Sequence, residues 1–151
     1  MEIQLLAIDN FKDSFKDRFI DLKTMMQEYK KSIHEEALNE EQFNDLKIAI
    51  DEGKIVFYII VENKEAVGMC SVSILFSTYK CGPVGIFDDF YIKKEHRKKG
   101  FAKKLVSFVF NEMKAKKVTS LLLGCSDVDI EMYKHIGFNM ELGNLLSAEI
   151  H

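Results

Sequence analysis

The sequence predicts an α/β (α+β) fold: a mixed, mostly antiparallel twisted sheet with helices on both faces. Three observations carry that expectation. Apolar spacing alternates between helix and strand periods in the order strand, two helices, three strands, helix, strand, helix, two strands. The three central runs, 54–61, 66–77 and 84–92, follow one another across short turns, as antiparallel neighbours do. A strand–helix–strand unit over 84–125 then embeds a parallel crossover in the otherwise antiparallel order. A chain of 151 residues suits one core, so a single domain over 1–151 is expected.

Each element has its own signal. IQLLAI (3–8) reads as a short strand. From Asn10 onward Phe11, Phe15, Phe19, Leu22, Met26 and Tyr29 recur at three- and four-residue spacing, the buried stripe of an amphipathic helix. Asn39 with Gln42 three residues later predicts a capping box, Phe43, Leu46 and Ile50 the stripe that follows, and Gly53 the C-terminal cap. The polar link KKSIHEEALNE separates these two helices.

KIVFYIIV (54–61) and AVGMCSVSILFS (66–77) form a hairpin about ENKE, and Pro83 ends the pair before VGIFDDFYI (84–92). Ala102, Leu105, Val106, Val109 and Met113 mark a helix face to about Lys117. VTSLLLGC (118–125) reads as a buried strand and DIEMYKHIGF (129–138) as a short helix stopped by Gly137. FNMEL and LLSAEI flank Gly143-Asn144 as a final hairpin.

Composition excludes several classes. A formal net charge of −3 argues against a nucleic-acid binder. The N-terminal MEIQLLAIDN has no basic region of the signal-peptide kind, and no apolar run approaches the ~18 residues of a membrane span. Cys70, Cys81 and Cys125 show no metal or redox spacing, so free thiols in a reducing cytoplasm are expected. His34, His96, His135 and His151 have no ligand spacing either, and no metal is expected.

The stretch KEHRKKGFAKKL (94–105) lies between a strand ending at Ile92 and a helix starting near Gly100. N–H groups in the first turn of a helix lack intrahelical partners, and phosphates bind there. Gly100 permits close approach, Ala102 keeps the next turn small, and lysines add charge. From these residues alone a solvated basic turn is the favoured reading.

The wider pattern is more specific. Arg97-Lys98-Lys99-Gly100-Phe101-Ala102 resembles the Arg/Gln-x-x-Gly-x-Gly/Ala motif that binds acetyl-CoA in the GNAT N-acetyltransferases. The apolar-x-apolar end of the preceding strand is matched by Phe90-Tyr91-Ile92, and Tyr-x-x-x-Gly-Phe by Tyr133 with Gly137-Phe138. The order of elements is also similar to that fold, so the resemblance covers nearly the whole chain.

The resemblance implies that backbone amides of 98–103 hold the coenzyme A pyrophosphate, with Lys103 placed to touch phosphate. It implies that the edge of Phe90, Tyr91 and Ile92 pairs with the pantetheine arm, which requires the sheet to splay before VTSLLLGC. An amide near Tyr91 or Ile92 would polarise the thioester carbonyl. Tyr133 would protonate the departing thiolate, and a phenol of pKa about 10 suits a thiol near 8.5; a half-buried tyrosine that only packs is the alternative reading.

Acidic residues before the apolar-x-apolar segment recur near the acceptor in this family, which implies Asp88 or Asp89 as proton acceptor through water or as anchor for a cationic amine. Side-chain alternation places the two on opposite sides, with Asp88 on the face of Phe90 and Ile92. A solvated strand-end carboxylate reads equally well for each. Ser126 stands where many members carry an Asn that contacts pantetheine, and Asp129 where a small Ala is frequent. His34, Glu35 and Glu36 read as solvated loop, Cys125 as a buried inert thiol, and the remaining lysines of 103–117 as a solvated helix face.

The function implied is direct transfer of acetyl from acetyl-CoA to a primary amine in a ternary complex. A small acceptor, polyamine-like or an amino sugar, is expected, with a weak likeness to the diamine-acetyltransferase branch. A peptide acetyltransferase and a non-catalytic coenzyme-binding regulatory module are the alternatives. No membrane partner is expected, and the family's frequent dimers suit the edge strand that a tail hairpin would offer.

Overall fold

Strand β2 (Val56–Glu62) is buried along its whole length, because the sheet it runs through is covered on both faces. Phe57, Ile59 and Val61 face one core with Leu22, Met25, Phe43 and Ile50, while Tyr58 and Ile60 face another with Phe101, Leu105 and Val109. This computed structural model describes residues 2–12, 15 and 17–151. The order is β1 (Ile3–Ile8), α1 (Arg18–Ser32), α2 (Glu40–Asp51), β2, β3 (Glu65–Ser77), β4 (Gly82–Ile92), α3 (Phe101–Ala115), β5 (Leu121–Leu122) and α4 (Ile130–His135). The five strands lie in sequence order, antiparallel except for the parallel β4–β5 pair. Helices α1 and α2 cover one face, α3 and α4 the other. The mixed α+β fold expected from the sequence is therefore observed.

Local signals act as their chemistry dictates. Asn39 Oδ1 accepts from the Gln42 N–H at 2.8 Å and Gln42 Oε1 from the Asn39 N–H at 2.9 Å, closing the capping box of α2. Asn63 and Lys64 adopt φ of 49° and 73°, the paired left-handed geometry of a two-residue hairpin turn.

Three expectations need correction. The first helix was expected from Asn10, but its described turns begin at Arg18, and residues 13, 14 and 16 of the expected span lie outside the described residues. Phe11 is not helical; its N–H donates to Asp51 Oδ1 at 2.9 Å, and its ring meets Phe19 at 4.9 Å. The aromatic stripe is thus buried partly by a loop. The strand expected over 118–125 pairs only at Leu121 and Leu122, and both are half-buried. The final hairpin does not form among the described residues: 139–151 contain no strand and are exposed. A strand as short as β5 offers almost no edge for a hairpin to join, and an isolated hairpin is marginal.

A fourth difference lies inside β4. Its register with β3 shifts between Met69 and Ser71, so Cys70 lies opposite both Asp89 and Phe90. Asp89 takes φ of 54°, the mark of a bulge. Phe87 and Phe90 consequently pack on one face, with ring centroids 5.7 Å apart, although strict alternation would separate them. Asp88 therefore does not share the face of Phe90 and Ile92, because the bulge absorbs one residue between them. Among the described residues no helix is long and apolar enough to cross a membrane.

Candidate active site

Strands β4 and β5 touch where glycine allows it and part where the bulge begins. A Cβ on Gly85 would meet Leu121 Cδ2 at 2.5 Å and Val72 Cγ1 at 2.9 Å, so this glycine permits the contact. Pairing stops after Ile86↔Leu122, and the bulge at Asp89 turns the rest of β4 away. The wedge between them holds a cavity of about 450 Å³. Phe90, Tyr91, Ile92, Arg97 and Ala102 form one wall. Gly124, Cys125, Asp129, Met132 and Tyr133 form the other, and Tyr29, Ser32 and Ile33 from the end of α1 close one side. A second cavity of about 450 Å³, between β1 and α3, is lined by Lys103, Lys104 and Ser107 but by no carboxylate or tyrosine.

The turn between β4 and α3 explains the basic stretch. Lys94–His96 form a 3-10 turn, Lys98 and Gly100 take φ of 64° and 80°, and α3 begins at Phe101 with no side-chain cap. The first backbone bond of the helix runs from Lys104 N–H to Gly100 O at 3.1 Å, which leaves the amides of 101–103 without intrahelical acceptors. Lys98, Lys99 and Gly100 are exposed, whereas the Phe101 side chain is buried in the core and only its amide can face a ligand. Arg97 turns back: its Nε donates to Ile92 O at 2.8 Å and its guanidinium lies 5.6 Å from the Tyr91 ring centre. Lys103 is exposed on the first turn of α3.

Tyr133 packs among aromatic rings, 6.0 Å from Phe90 and 6.1 Å from Phe138 between centroids. Burial, reinforced by the nearby Asp129 carboxylate, pushes its hydroxyl up to about 12, so it remains protonated and able to donate. Asp89 Oδ2 accepts from the Ser71 hydroxyl at 2.7 Å, and the Asp89 N–H donates to Asp88 Oδ1 at 2.8 Å. Burial pushes the Asp89 carboxyl above its usual range, although the Ser71 bond opposes this. Tyr29 is also pushed up, first by burial and then by Asp88 and Asp89. Two carboxylates and two phenols thus share one neighbourhood at the wedge.

Not every expected residue arrives there. Phe90, Tyr91, Ile92, Arg97, Ala102 and Tyr133 line the wedge, with Asp88 and Asp89 beside its α1 end. Ser126 is exposed and its hydroxyl donates to Asp129 Oδ2 at 3.0 Å, so it is Asp129 that reaches the cavity. Cys125 is exposed rather than buried, because β5 ends before it. His34, Glu35 and Glu36 are exposed, and Glu35 pairs with Lys30 at 3.1 Å. Tyr29, Ser32, Ile33 and Met132 were missed: Tyr29 belongs to a stripe that elsewhere is core, and spacing does not reveal that the sheet splays beneath its last turn.

Against the expectation of no metal, one cluster of potential ligands stands among the described residues. Ligand atoms of Glu65, Glu95 and His96 lie within 4.8 Å of one another. The His96 ring contacts Glu62 at 3.1 Å and Glu65 at 3.7 Å, and Lys93 pairs with Glu65 at 3.5 Å, so His96 and Glu65 already have protein partners.

A model of the acetyltransferase (GNAT) family matches residues 19–138. No curated protein sequence matches significantly. Solved structures do. An aminoglycoside acetyltransferase from an uncultured soil metagenomic sample, in complex with trehalose, superposes with a TM-score of 0.79 at 14% identity, covering 99% of this chain and 95% of that one. A protein from Clostridium acetobutylicum, described as a predicted acetyltransferase and solved with acetyl-CoA, gives 0.77 at 17% identity over 98% and 96%. Glucosamine-6-phosphate N-acetyltransferase from Arabidopsis thaliana gives 0.71 at 18% identity over 99% of each chain. At such identities the likeness is one of fold.

Proposed function

Given that the chain belongs to the acetyltransferase (GNAT) family, whose members use acetyl-CoA as co-substrate, we propose that the β4–β5 wedge is the site of acetyl transfer to a small primary amine. The observation that carries this reading is the wedge itself, with uncapped α3 amides at one end, Tyr133 on a wall and Asp88 and Asp89 beside it. Coenzyme A fits these features by their chemistry. Amides of 101–103, with those of 98–100 before them, offer donors to a pyrophosphate, and exposed Lys98, Lys99 and Lys103 add charge. The β5-side edge of β4 beyond Ile86 has no strand neighbour among the described residues and can pair with an amide-bearing arm.

Acetyl-CoA supplies an activated acyl group when bound. The amine attacks the acyl carbon, the carbon–sulfur bond breaks, and Tyr133 donates its proton to the departing sulfur. A carboxylate, Asp88 or Asp89, takes the amine's proton through water, and Asp89's raised affinity for protons suits it to that step. The acidic setting beside Tyr29 favours a cationic acceptor, polyamine-like or an amino sugar. The acceptors named for two structural neighbours, aminoglycosides and glucosamine-6-phosphate, support the amino sugar. A homodimer belongs to the same reading, supported by the exposed Met140, Leu142, Leu145, Leu146 and Ile150 of the tail.

The test is release of free thiol from acetyl-CoA across panels of amino sugars, polyamines and peptides. Acceptor-dependent release is expected from a small amine, and Tyr133→Phe should lower turnover roughly 10- to 100-fold with little change in coenzyme affinity. Unchanged turnover would remove Tyr133 as the acid. Tight coenzyme binding with no release from any panel would favour the regulatory module.

A further inference from the structure

We propose that Glu28 is a positioning residue that links the acceptor-side helix to the coenzyme turn through Tyr91 and Arg97. The inference rests on the reading of the wedge given above and concerns how its two ends are held in register.

Glu28 lies in α1 one residue before Tyr29, which lines the wedge. Its Oε2 accepts the Tyr91 hydroxyl proton at 3.1 Å, a bond between positions 63 residues apart. Tyr91 packs on the α1 side of the sheet, 6.3 Å from the Tyr29 ring. Burial, together with the Glu28 carboxylate, pushes the Tyr91 phenol upward and keeps it a donor. The ring of Tyr91 then carries the Arg97 guanidinium at 5.6 Å, and Arg97 Nε caps the carbonyl of Ile92, the last residue of β4, at 2.8 Å.

The chain of contacts is continuous. A carboxylate on α1 orients a phenol on β4, the phenol's ring supports a cation in the turn, and that cation holds the strand end from which the turn departs. A carboxylate at the hydroxyl and a guanidinium on the ring act on opposite poles of one side chain, so each favours the other's placement. Arg97 also forms part of the motif read as the coenzyme site, yet its Nε is committed to Ile92 O. Its role is therefore to shape the turn, and Glu28 acts on the turn through it. The consequence is directional: ordering residues 97–103 by coenzyme should order the last turn of α1, which carries Tyr29, Ser32 and Ile33 to the acceptor end of the wedge.

Hydrogen exchange on the full chain with and without coenzyme A tests this without knowledge of the acceptor. In the wild type, coenzyme A should slow exchange in 98–104 and in 27–33. Glu28→Ala should keep the first protection and cut the second about threefold or more. Glu28→Gln, whose amide oxygen still accepts from the phenol, should restore most of it, and Tyr91→Phe should reproduce the loss should the alanine variant fold poorly. Equal protection of 27–33 in wild type, Glu28→Ala and Tyr91→Phe would overturn the link, as would a glutamine variant that behaves like alanine. Absence of protection in 98–104 of the wild type would instead overturn the coenzyme reading, and this inference with it.

Discussion

Over residues 82–87, strand β4 has neighbours on both edges: β3 on one side and β5, at Gly85 and Ile86, on the other. Over residues 88–92 only β3 remains among the described residues. The first half contributes Val84 and Phe87 to the core, whereas the second carries the carboxylates and the wall of the wedge. The difference teaches that this site is made by withholding a strand partner. Backbone groups that would close a sheet are left available for a ligand, and a bulged Asp89 marks the changeover.

Substitutions that act on one half only would sharpen this contrast. The largest effect is expected at the mouth of the open half. Gly100→Glu places a side chain at φ of 80° and a negative charge beside the uncapped helix end, so coenzyme affinity should fall by about 100-fold. Undiminished binding in calorimetry would break the assignment of that end to phosphate. Next comes the closed half. Gly85→Val puts atoms where Leu121 and Val72 stand, and urea unfolding should show a loss of about 1–3 kcal/mol. A neutral result would mean that β5 is not anchored there.

Asp89 sits at the boundary, and its effect depends on pH. Its carboxyl is raised by burial, so the folded protein keeps this proton to higher pH than the unfolded chain does. Charging it therefore costs stability; the cost is absent below the ordinary carboxylate value of about 4 and complete above the raised one. Asp89→Asn, which tolerates positive φ, should raise stability at pH 7 relative to wild type, with a smaller gain near pH 4. A gain equal at both pH values would remove burial of the charge as its cause. The smallest effect is expected outside both halves: Leu146→Ser, on the exposed tail, should shift stability by no more than about 0.5 kcal/mol. A larger loss in the isolated chain would show that the tail packs more firmly than its exposure implies.

Much of the fold was legible because its signals are local. The Asn39–Gln42 cap, the Asn63-Lys64 turn and the break at Gly100 each involve a few adjacent residues whose own chemistry selects the backbone. The motif around Arg97–Ala102 and Tyr133 with Gly137-Phe138 were singled out by their resemblance to the family's motifs, not by local chemistry alone. The bulge was not: Asp88-Asp89 carries no glycine or proline to announce it, and period-two reasoning put Asp88 on the wrong face. Tyr29 was hidden because a helix stripe looks alike whether it meets a closed sheet or the end of a splayed one.

By itself, the sequence determined the helices α2 and α3, the strands β2, β3 and β4, the uncapped start of α3, and which titratable groups are at hand, since each depends on neighbours within a few positions. Tertiary structure alone decided that β5 pairs for two residues, that the tail adds no strand, and that Tyr29 and Tyr133 line one cavity while Asp88 and Asp89 act on the Tyr29 phenol. Those outcomes depend on how far two strands diverge. That divergence is set by side chains packed from distant parts of the chain, Gly85 against Leu121 and Asp89 against Ser71, which no local pattern records.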